Sequence, residues 1–343
     1  MRQIKVLVVE DSLFFRELLV TNLNKDPAIN VVASARDAFE ARDMIVKYKP
    51  DVMTLDIEMP KMSGLEFLQK LMPQYPMPVV MISSLSEKVF DALNAGAVDF
   101  VVKPKLTDRR QLEEFIQKEL PVKIKIASTA RIANLKKKVA ALQPEVFEGK
   151  SSNEVVIAIG ASTGGTEAIA SVVKEYGKDI PGVVVVQHMP AGFTAMYANR
   201  LNNQSAPLVK EAKDGDKVVP GQILIAPGGE CQMRLQKNRD GYYVEVKPGP
   251  RVSGHCPSVD VLFSSVAKAA GKNALGIILT GMGGDGAKGL LEMRKAGART
   301  IGQDESSCVV DGMPKVAYDL GAVEFQEKLS NIAKKTYAVL NKM

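Results

Sequence analysis

The sequence predicts an α/β protein with two doubly wound, mostly parallel sheets placed one after the other along the chain, and three observations predict it. In the first third, five apolar runs ("IKVLVVE", "NVVAS", "DVMTLDI", "PVVMISS", "DFVVKP") alternate with segments long enough for crossover helices, which is the pattern of a parallel sheet. From about residue 153 the alternation starts again with "EVVIAI", "GVVVV" and "ALGIIL". The length, 343 residues, suits two hydrophobic cores at about 150 residues per domain. The expected division is a first domain over 1–120, a connecting segment over 121–152 and a second domain over 153–343.

Composition excludes several classes of function. No apolar run approaches the ~18 residues a membrane span needs, so no membrane insertion is expected. The start "MRQIKVLVVED" runs straight into a strand and lacks a signal peptide's apolar core and cleavage site, so a cytoplasmic protein is expected. Cys231, Cys256 and Cys308 are odd in number and widely spaced, against both a disulfide framework and a zinc knuckle; reduced, buried thiols are expected. With only His188 and His255 and no HExxH, a histidine-rich metal site is not expected. The net charge of +6 is concentrated in one place: Pro121 to Lys150 holds seven bases and two acids, a net +5. There Ile132, Leu135, Val139 and Leu142 recur at helical spacing behind Ser128 and Thr129 as candidate caps, reading as an amphipathic linker helix. No aromatic residue interleaves with its lysines, so no nucleic-acid partner is expected.

The first five strands are read by where they end, because an open parallel sheet binds ligands beyond the carboxyl ends of its strands. The first ends on Glu10 and Asp11, the third on Asp56, the fourth on Ser83 and the fifth on Lys103. Three carboxylates at one sheet edge repel unless a hard cation neutralises them, and Mg2+ takes such oxygen ligands. Asp56 then suits a phosphoryl acceptor, with the Lys103 ammonium offsetting charge on the transferring oxygens. Singly each residue has a plainer reading, Asp56 as a helix cap, Lys103 as a surface charge and Ser83 as a turn residue. Together "VVEDS", "TLDIEMPKMSGLEFL", "VVMISS" and "DFVVKP" resemble the receiver domain of two-component response regulators over about Met1 to Leu120. The resemblance implies a flavodoxin-like, doubly wound, five-stranded parallel sheet. It implies phosphorylation at Asp56 and Mg2+ held by Glu10, Asp11, Asp56 and the Glu58 backbone carbonyl. It also makes Ser83 the hydroxyl that senses the phosphoryl group, Lys103 its ion partner and Phe100 an aromatic switch.

The second half opens on "EVVIAIGASTGG", a strand and a glycine-rich turn before the helical "TEAIASVVKEY". Two mechanisms want that geometry: backbone N–H groups at a helix N-terminus cradling a phosphate, or a serine displayed on a strand-to-helix turn, since Gly160 to Gly164 fits G-x-S-x-G. The motif alone leaves both open. The next strand, "GVVVVQHMP", ends on Gln187 and His188, where a dinucleotide site expects an acid for the ribose. An imidazole there suits a general base for Ser162. Farther on, "ALGIILTGMGGDGAKGLLEM" sets Asp285 in another glycine-rich turn, where its carboxylate would orient His188; its plainer reading is a helix cap. The order Ser, His, Asp excludes the α/β-hydrolase fold, in which the acid precedes the histidine.

"GASTGG", "VVVVQHMPAGFTAMYANRL", "ILIAPGG", "PSVDVLFSSVA" and "IILTGMGGDGAKGLLEMRKAGARTIGQDESSCVVDGMPKVA" behind a receiver closely resemble the CheB family of chemotaxis protein-glutamate methylesterases, over nearly the whole chain. The resemblance implies a Rossmann-like doubly wound, mostly parallel second sheet. It makes Ser162 the nucleophile, His188 the general base and acid, Asp285 the orienting carboxylate, the Met282 N–H an oxyanion donor and Thr163 a flanking residue. It also implies hydrolysis of glutamate methyl esters and deamidation of glutamines on methyl-accepting chemoreceptors, phosphate supplied by the histidine kinase CheA, activation by phosphorylation of Asp56, and no cofactor in the catalytic half. One departure is Cys256 in "GHCPSVD", where the family pattern leads one to expect a basic residue.

Overall fold

A computed structural model of the protein describes residues 2–84, 87–104, 109–135 and 153–343. The chain divides into two compact units, Met1–Lys136 and Lys137–Met343.

The first unit holds β1 (Ile4–Val9), β2 (Ile29–Ala35), β3 (Val52–Asp56), β4 (Val79–Ser83) and β5 (Asp99–Val102), paired in parallel in the order β2-β1-β3-β4-β5. Reversal of direction after β1 distributes the right-handed crossovers over both faces, so the central strands are buried on both sides and carry almost continuous apolar runs. Val6 to Val9 and Val79 to Ile82 have no exposed surface. The crossover helices α1 (Leu13–Leu23), α2 (Ala38–Tyr48) and α3 (Gly64–Gln74) start on side-chain caps from Ser12, Asp37 and a Ser63–Glu66 capping box, each satisfying N–H groups the helix cannot pair itself. The helix α4 (Lys88–Asn94) precedes β5.

After β5, α5 (Arg109–Glu114) passes through a π-helical stretch, Phe115–Glu119, into α6 (Leu120–Ser128). Ile124 and Ala127 of α6 are buried. Ser128 and Thr129 differ from expectation: their hydroxyls donate back to the carbonyls of Lys125 and Ile126, so they close α6 and do not cap a linker helix. A short helix α7 (Ile132–Leu135) begins where the linker helix was expected; Val139 and Leu142 lie outside the described residues.

In the second unit β6 (Val156–Ala161), β7 (Gly182–Gln187), β8 (Leu208–Glu211), β9 (Gln222–Ile225), β12 (Ala274–Ile278), β13 (Arg299–Gln303) and β14 (Phe325–Glu327) form one sheet in the order β14-β13-β12-β6-β7-β9-β8. All its pairings are parallel, and the antiparallel hairpin of β10 (Cys231–Asn238) and β11 (Gly241–Pro248) stands outside it. Met233, Leu235, Tyr242 and Val244 of the hairpin share one core with Val259, Leu262, Phe263 and Val266 of α10 (Val259–Ala270). The order reverses between β12 and β6, so the ends of β6, β7 and β12 surround a crevice at the switch point. None of the three cysteines is in a disulfide; Cys308 is buried, but Cys231, at the start of β10, and Cys256, in the loop before α10, are half-buried.

Candidate functional site

At the second switch point the chain turns sharply from β6 into α8 (Gly165–Val173). The Ser162 N–H donates to the Thr280 carbonyl at 3.0 Å, and Gly165 N–H returns to the Ser162 carbonyl at 2.7 Å. The glycines of "GASTGG" are accounted for by packing and by one left-handed turn. A Cβ on Gly160 would lie 2.1 Å from Val259 Cγ1, one on Gly165 would lie 2.2 Å from Gln187 Oε1, and Gly164 has φ +76°. Across the crevice, a Cβ on Gly281 would lie 2.7 Å from the Ser162 Cβ.

Ala161 and Gln187 are partners in register, so Ser162 and His188 follow side by side at the sheet edge. The His188 N–H extends the ladder to the Ala161 carbonyl at 3.1 Å. Buried Gln187 ties the two ends together, its amide donating to the Ser162 carbonyl at 2.9 Å and to the His188 carbonyl at 3.2 Å.

Asp285, buried in the turn before α11 (Ala287–Lys295), meets His188 Nε2 at 2.8 Å through Oδ2. Three more donors converge on the same carboxyl: the Ser258 hydroxyl at 2.7 Å, the Val259 N–H at 2.7 Å and the Asp260 N–H at 3.1 Å. Two of these are the first free amides of α10, whose dipole also favours an anion at that end. Burial works to raise the Asp285 carboxyl, but hydrogen bonding and charge from His188, then the Ser258 and Val259 bonds, outweigh it and hold the group below the ordinary carboxylate range. A carboxylate only accepts hydrogen bonds, so in the neutral imidazole the His188 proton belongs on Nε2 and Nδ1 is the accepting nitrogen. That Nδ1 is buried and has no hydrogen-bond partner.

Neighbouring groups complete the crevice. The His255 and His188 rings lie parallel, 3.7 Å apart and 8° from coplanar. Asp260 is raised, first by burial, with the Asp285 charge adding to it. His255, Asp285, Gly283, Gly284, Lys288 and Val316 contribute to the lining of a cavity of about 260 Å³. Met282 stands at the turn after β12 with 45% of its surface exposed, and Thr163 is buried with its carbonyl accepting from the Thr280 hydroxyl at 3.0 Å.

The first unit gathers a different set at its own switch point, between β1 and β3. One carboxylate oxygen from each of Glu10, Asp11 and Asp56 lies within 4.8 Å of the others; Asp11 is exposed and the other two are buried. Lys103 Nζ reaches both Glu10 oxygens at 2.9 Å and Asp56 Oδ2 at 2.5 Å. Burial and then the Asp56 charge push the Glu10 carboxyl up to about 8 in spite of Lys103. Burial works to lower the Lys103 ammonium, but bonds and charge from Asp56 and Glu10 leave it raised. The cluster holds more negative charge than one ammonium offsets, and an all-oxygen donor set suits a hard divalent cation. Glu58 donates its N–H to Asp56 Oδ1 at 2.9 Å. Ser83 is buried, its hydroxyl on the Ser84 carbonyl at 2.8 Å; Phe100, on adjacent β5, is buried as well.

Glu10, Asp11, Asp56 and Lys103 thus gather at one strand-end cluster and His188 meets Asp285 at the other, with Ser162 just past the end of β6 beside it; Ser83 ends β4 and Phe100 lies within β5. Ser258, Asp260 and Gln232 were missed as contributors. Ser258 caps α10, and "PSVD" before an apolar run is the cap signal that would have found it. Gln232, fully buried on β10, leaves no such signal; its amide oxygen accepts from Ser258 N–H at 2.8 Å.

The profile of the CheB methylesterase family matches residues 157–336, and that of the response regulator receiver domain matches residues 6–117. A Syntrophomonas wolfei protein named protein-glutamate methylesterase/protein-glutamine glutaminase 2 is 63% identical over 345 residues, spanning 100% of this chain and 99% of its own. A Syntrophotalea carbinolica protein named protein-glutamate methylesterase/protein-glutamine glutaminase is 50% identical over 349 residues, spanning 99% and 98%. The crystal structure of the Thermotoga maritima CheB methylesterase catalytic domain matches with a TM-score of 0.53 and 34% identity, over 54% of this chain and 98% of that one.

Proposed function

The chain belongs to the CheB methylesterase family, and from that premise we propose that it hydrolyses glutamate methyl esters on chemoreceptors, releasing methanol, and deamidates receptor glutamines. The observation that carries the reading is the placement of His188: Nε2 meets the Asp285 carboxylate at 2.8 Å, Nδ1 is buried and unpartnered, and the residue follows β7 next to Ser162 after β6. Ser162 Oγ attacks the ester carbonyl as Nδ1 takes its proton, and Asp285 stabilises the imidazolium. The Met282 N–H donates to the tetrahedral oxyanion, an interaction worth roughly 10²–10³ in rate. The proton on Nδ1 passes to the departing methoxide, giving methanol and an acyl-serine. Water attacks that acyl group with Nδ1 as base, releasing glutamate and restoring Ser162. With a glutamine substrate the leaving group is ammonia and the remaining steps are the same. Thr163 flanks the nucleophile, and every group this chemistry requires is a side chain or amide of the chain.

In the first unit Asp56 accepts a phosphoryl group from the histidine kinase CheA. Glu10, Asp11, Asp56 and the Glu58 carbonyl would hold Mg2+, which when bound neutralises charge on the transferring oxygens. Lys103 holds the charge of the Asp56 side chain, Ser83 answers to the phosphoryl oxygens, and Phe100 relays the change. Phosphorylation raises the esterase rate. No described helix is long and apolar enough to cross a membrane, and the proposed site of action is the cytoplasm, on the receptors' cytoplasmic glutamates.

The test is methanol release from methylated receptor membranes by the full chain, with and without a small phosphodonor, for the natural protein and Ser162→Ala. Release that rises with the donor and disappears in the variant supports the reading. Equal release by both proteins overturns the serine mechanism.

A further inference from the structure

We infer that His255 is a positioning residue for this reaction: its ring, laid flat on His188, holds the base in the plane in which Nε2 meets Asp285 and Nδ1 is left unpaired. The inference rests on the proposed triad and adds to it a residue outside the triad. One hydrogen bond from Nε2 to Asp285 fixes a point on the imidazole and not its plane. The terminal torsion of histidine is broad, so the ring remains free to tilt about that bond and swing Nδ1 away from the serine. A parallel ring at 3.7 Å and 8° removes that freedom.

The segment carrying His255 is itself held. Val252 and His255 exchange both N–H to carbonyl bonds at 2.9 Å around Ser253 and Gly254. Their φ values of 53° and 85° make a tight turn with both central residues left-handed. Ser253 adopts that region without being glycine, which marks the turn's shape as imposed by its surroundings. The Ser253 hydroxyl lies 3.4 Å from Asp260 Oδ2. Buried Gln232 donates to the Pro250 carbonyl at 2.9 Å and the His255 carbonyl at 3.4 Å while accepting from Ser258 N–H at 2.8 Å. Ser258, Val259 and Asp260 then bind the Asp285 carboxylate. One stretch of chain, 252–260, thus places both the acid at one edge of His188 and the ring on its face. Two independent contacts delivered by one braced segment leave the imidazole a single orientation.

The experiment uses the full chain with a small phosphodonor and compares His255→Ala, which removes the ring, with His255→Phe, which keeps a flat ring and loses the nitrogens. His255→Ala is expected to lower kcat for methanol release about tenfold or more with KM unchanged, since a misplaced base costs rate and not binding. His255→Phe is expected to recover kcat to within about threefold of the natural protein, the ring plane being what matters. A second measurement does not depend on activity. The chain has two histidines, so ring-labelled histidine gives two NMR spin systems, and in either variant the one that remains is His188. Its ring signals stay sharp and ring-current shifted in the Phe variant, and broaden and move in the Ala variant. Unchanged kcat in His255→Ala, or equal losses and equal His188 signals in both variants, overturns the inference. If Ser162→Ala releases methanol like the natural protein, the triad reading fails instead, and the NMR comparison still reports whether His255 orders the His188 ring.

Discussion

Asp285→Asn is the most informative single substitution, because it preserves shape and changes only charge and hydrogen-bond polarity. The carboxylate accepts four bonds, from Ser258 Oγ and Asp260 N on Oδ1 and from His188 Nε2 and Val259 N on Oδ2. An amide offers one accepting oxygen and one donating nitrogen. With the nitrogen in the Oδ2 position it faces the Val259 N–H, which is orphaned, and His188 must present a lone pair at Nε2. The proton then sits on Nδ1, which can no longer accept one from Ser162; a wrong tautomer of this kind costs about 10⁴ in kcat. With the nitrogen in the Oδ1 position the Asp260 N–H is orphaned and the tautomer survives, but the imidazolium loses its anion. At an effective dielectric of 20 and about 4 Å between charges, that is about 4 kcal/mol, or about 10³ in rate. Either orientation buries one unpaired N–H, costing about 1–3 kcal/mol of stability, or roughly 2–12 °C in the melting of a unit of this size. The pH dependence has a definite sign. Because the Asp285 carboxyl is held below its ordinary range, the stability it contributes is present above that range and lost as pH falls through the depressed value. The melting difference between natural protein and variant should therefore shrink below about pH 4. The assay is kcat for methanol release together with calorimetry across pH. A variant within tenfold of natural kcat would refute the assignment of Asp285 and of the His188 tautomer.

Three further outcomes are expected. Ser162→Ala should lower methanol release by at least about 10⁴-fold, with a melting temperature close to that of the natural protein; a partial loss would point to another nucleophile. Gly281→Ala would set a Cβ 2.4 Å from Met313 Sδ and 2.7 Å from Ser162 Cβ. Overpacking of that kind costs about 1–3 kcal/mol, and the displaced serine should show as reduced kcat in the same preparation; unchanged kcat would mean that the crevice is looser than its packing indicates. Asp56→Asn, or chelation of divalent cations with EDTA, should abolish the rise in methanol release on adding a phosphodonor. A rise that survives both would move the phosphoryl acceptor away from the Glu10, Asp11 and Asp56 cluster.

Much was legible in the sequence because strand-end chemistry is local. A buried parallel strand must be almost wholly apolar, so the first polar residues at its end are conspicuous, and Glu10, Asp56, Lys103 and His188 all stand at or next to such an end, with Asp285 farther along in the glycine-rich turn after β12. The alternation of apolar runs with crossover lengths likewise dictated two parallel sheets. The order in which strands lie side by side is not local. Only the assembled sheets put β6 between β7 and β12, which brings residues 162, 188 and 285 to one crevice. The glycines of "GASTGG" likewise answer to Val259 and Gln187, residues distant in sequence whose approach no motif records. The tautomer of His188, the donors converging on Asp285 and the ring of His255 against the base depend on a hairpin and a turn that lie outside the sheet. The sequence by itself determined which chemical groups stand at the strand ends, because burial forces polarity to the termini. The tertiary structure decided which of them meet and in what orientation, because hydrogen-bond direction and ring planes are set by contacts between segments far apart in the chain.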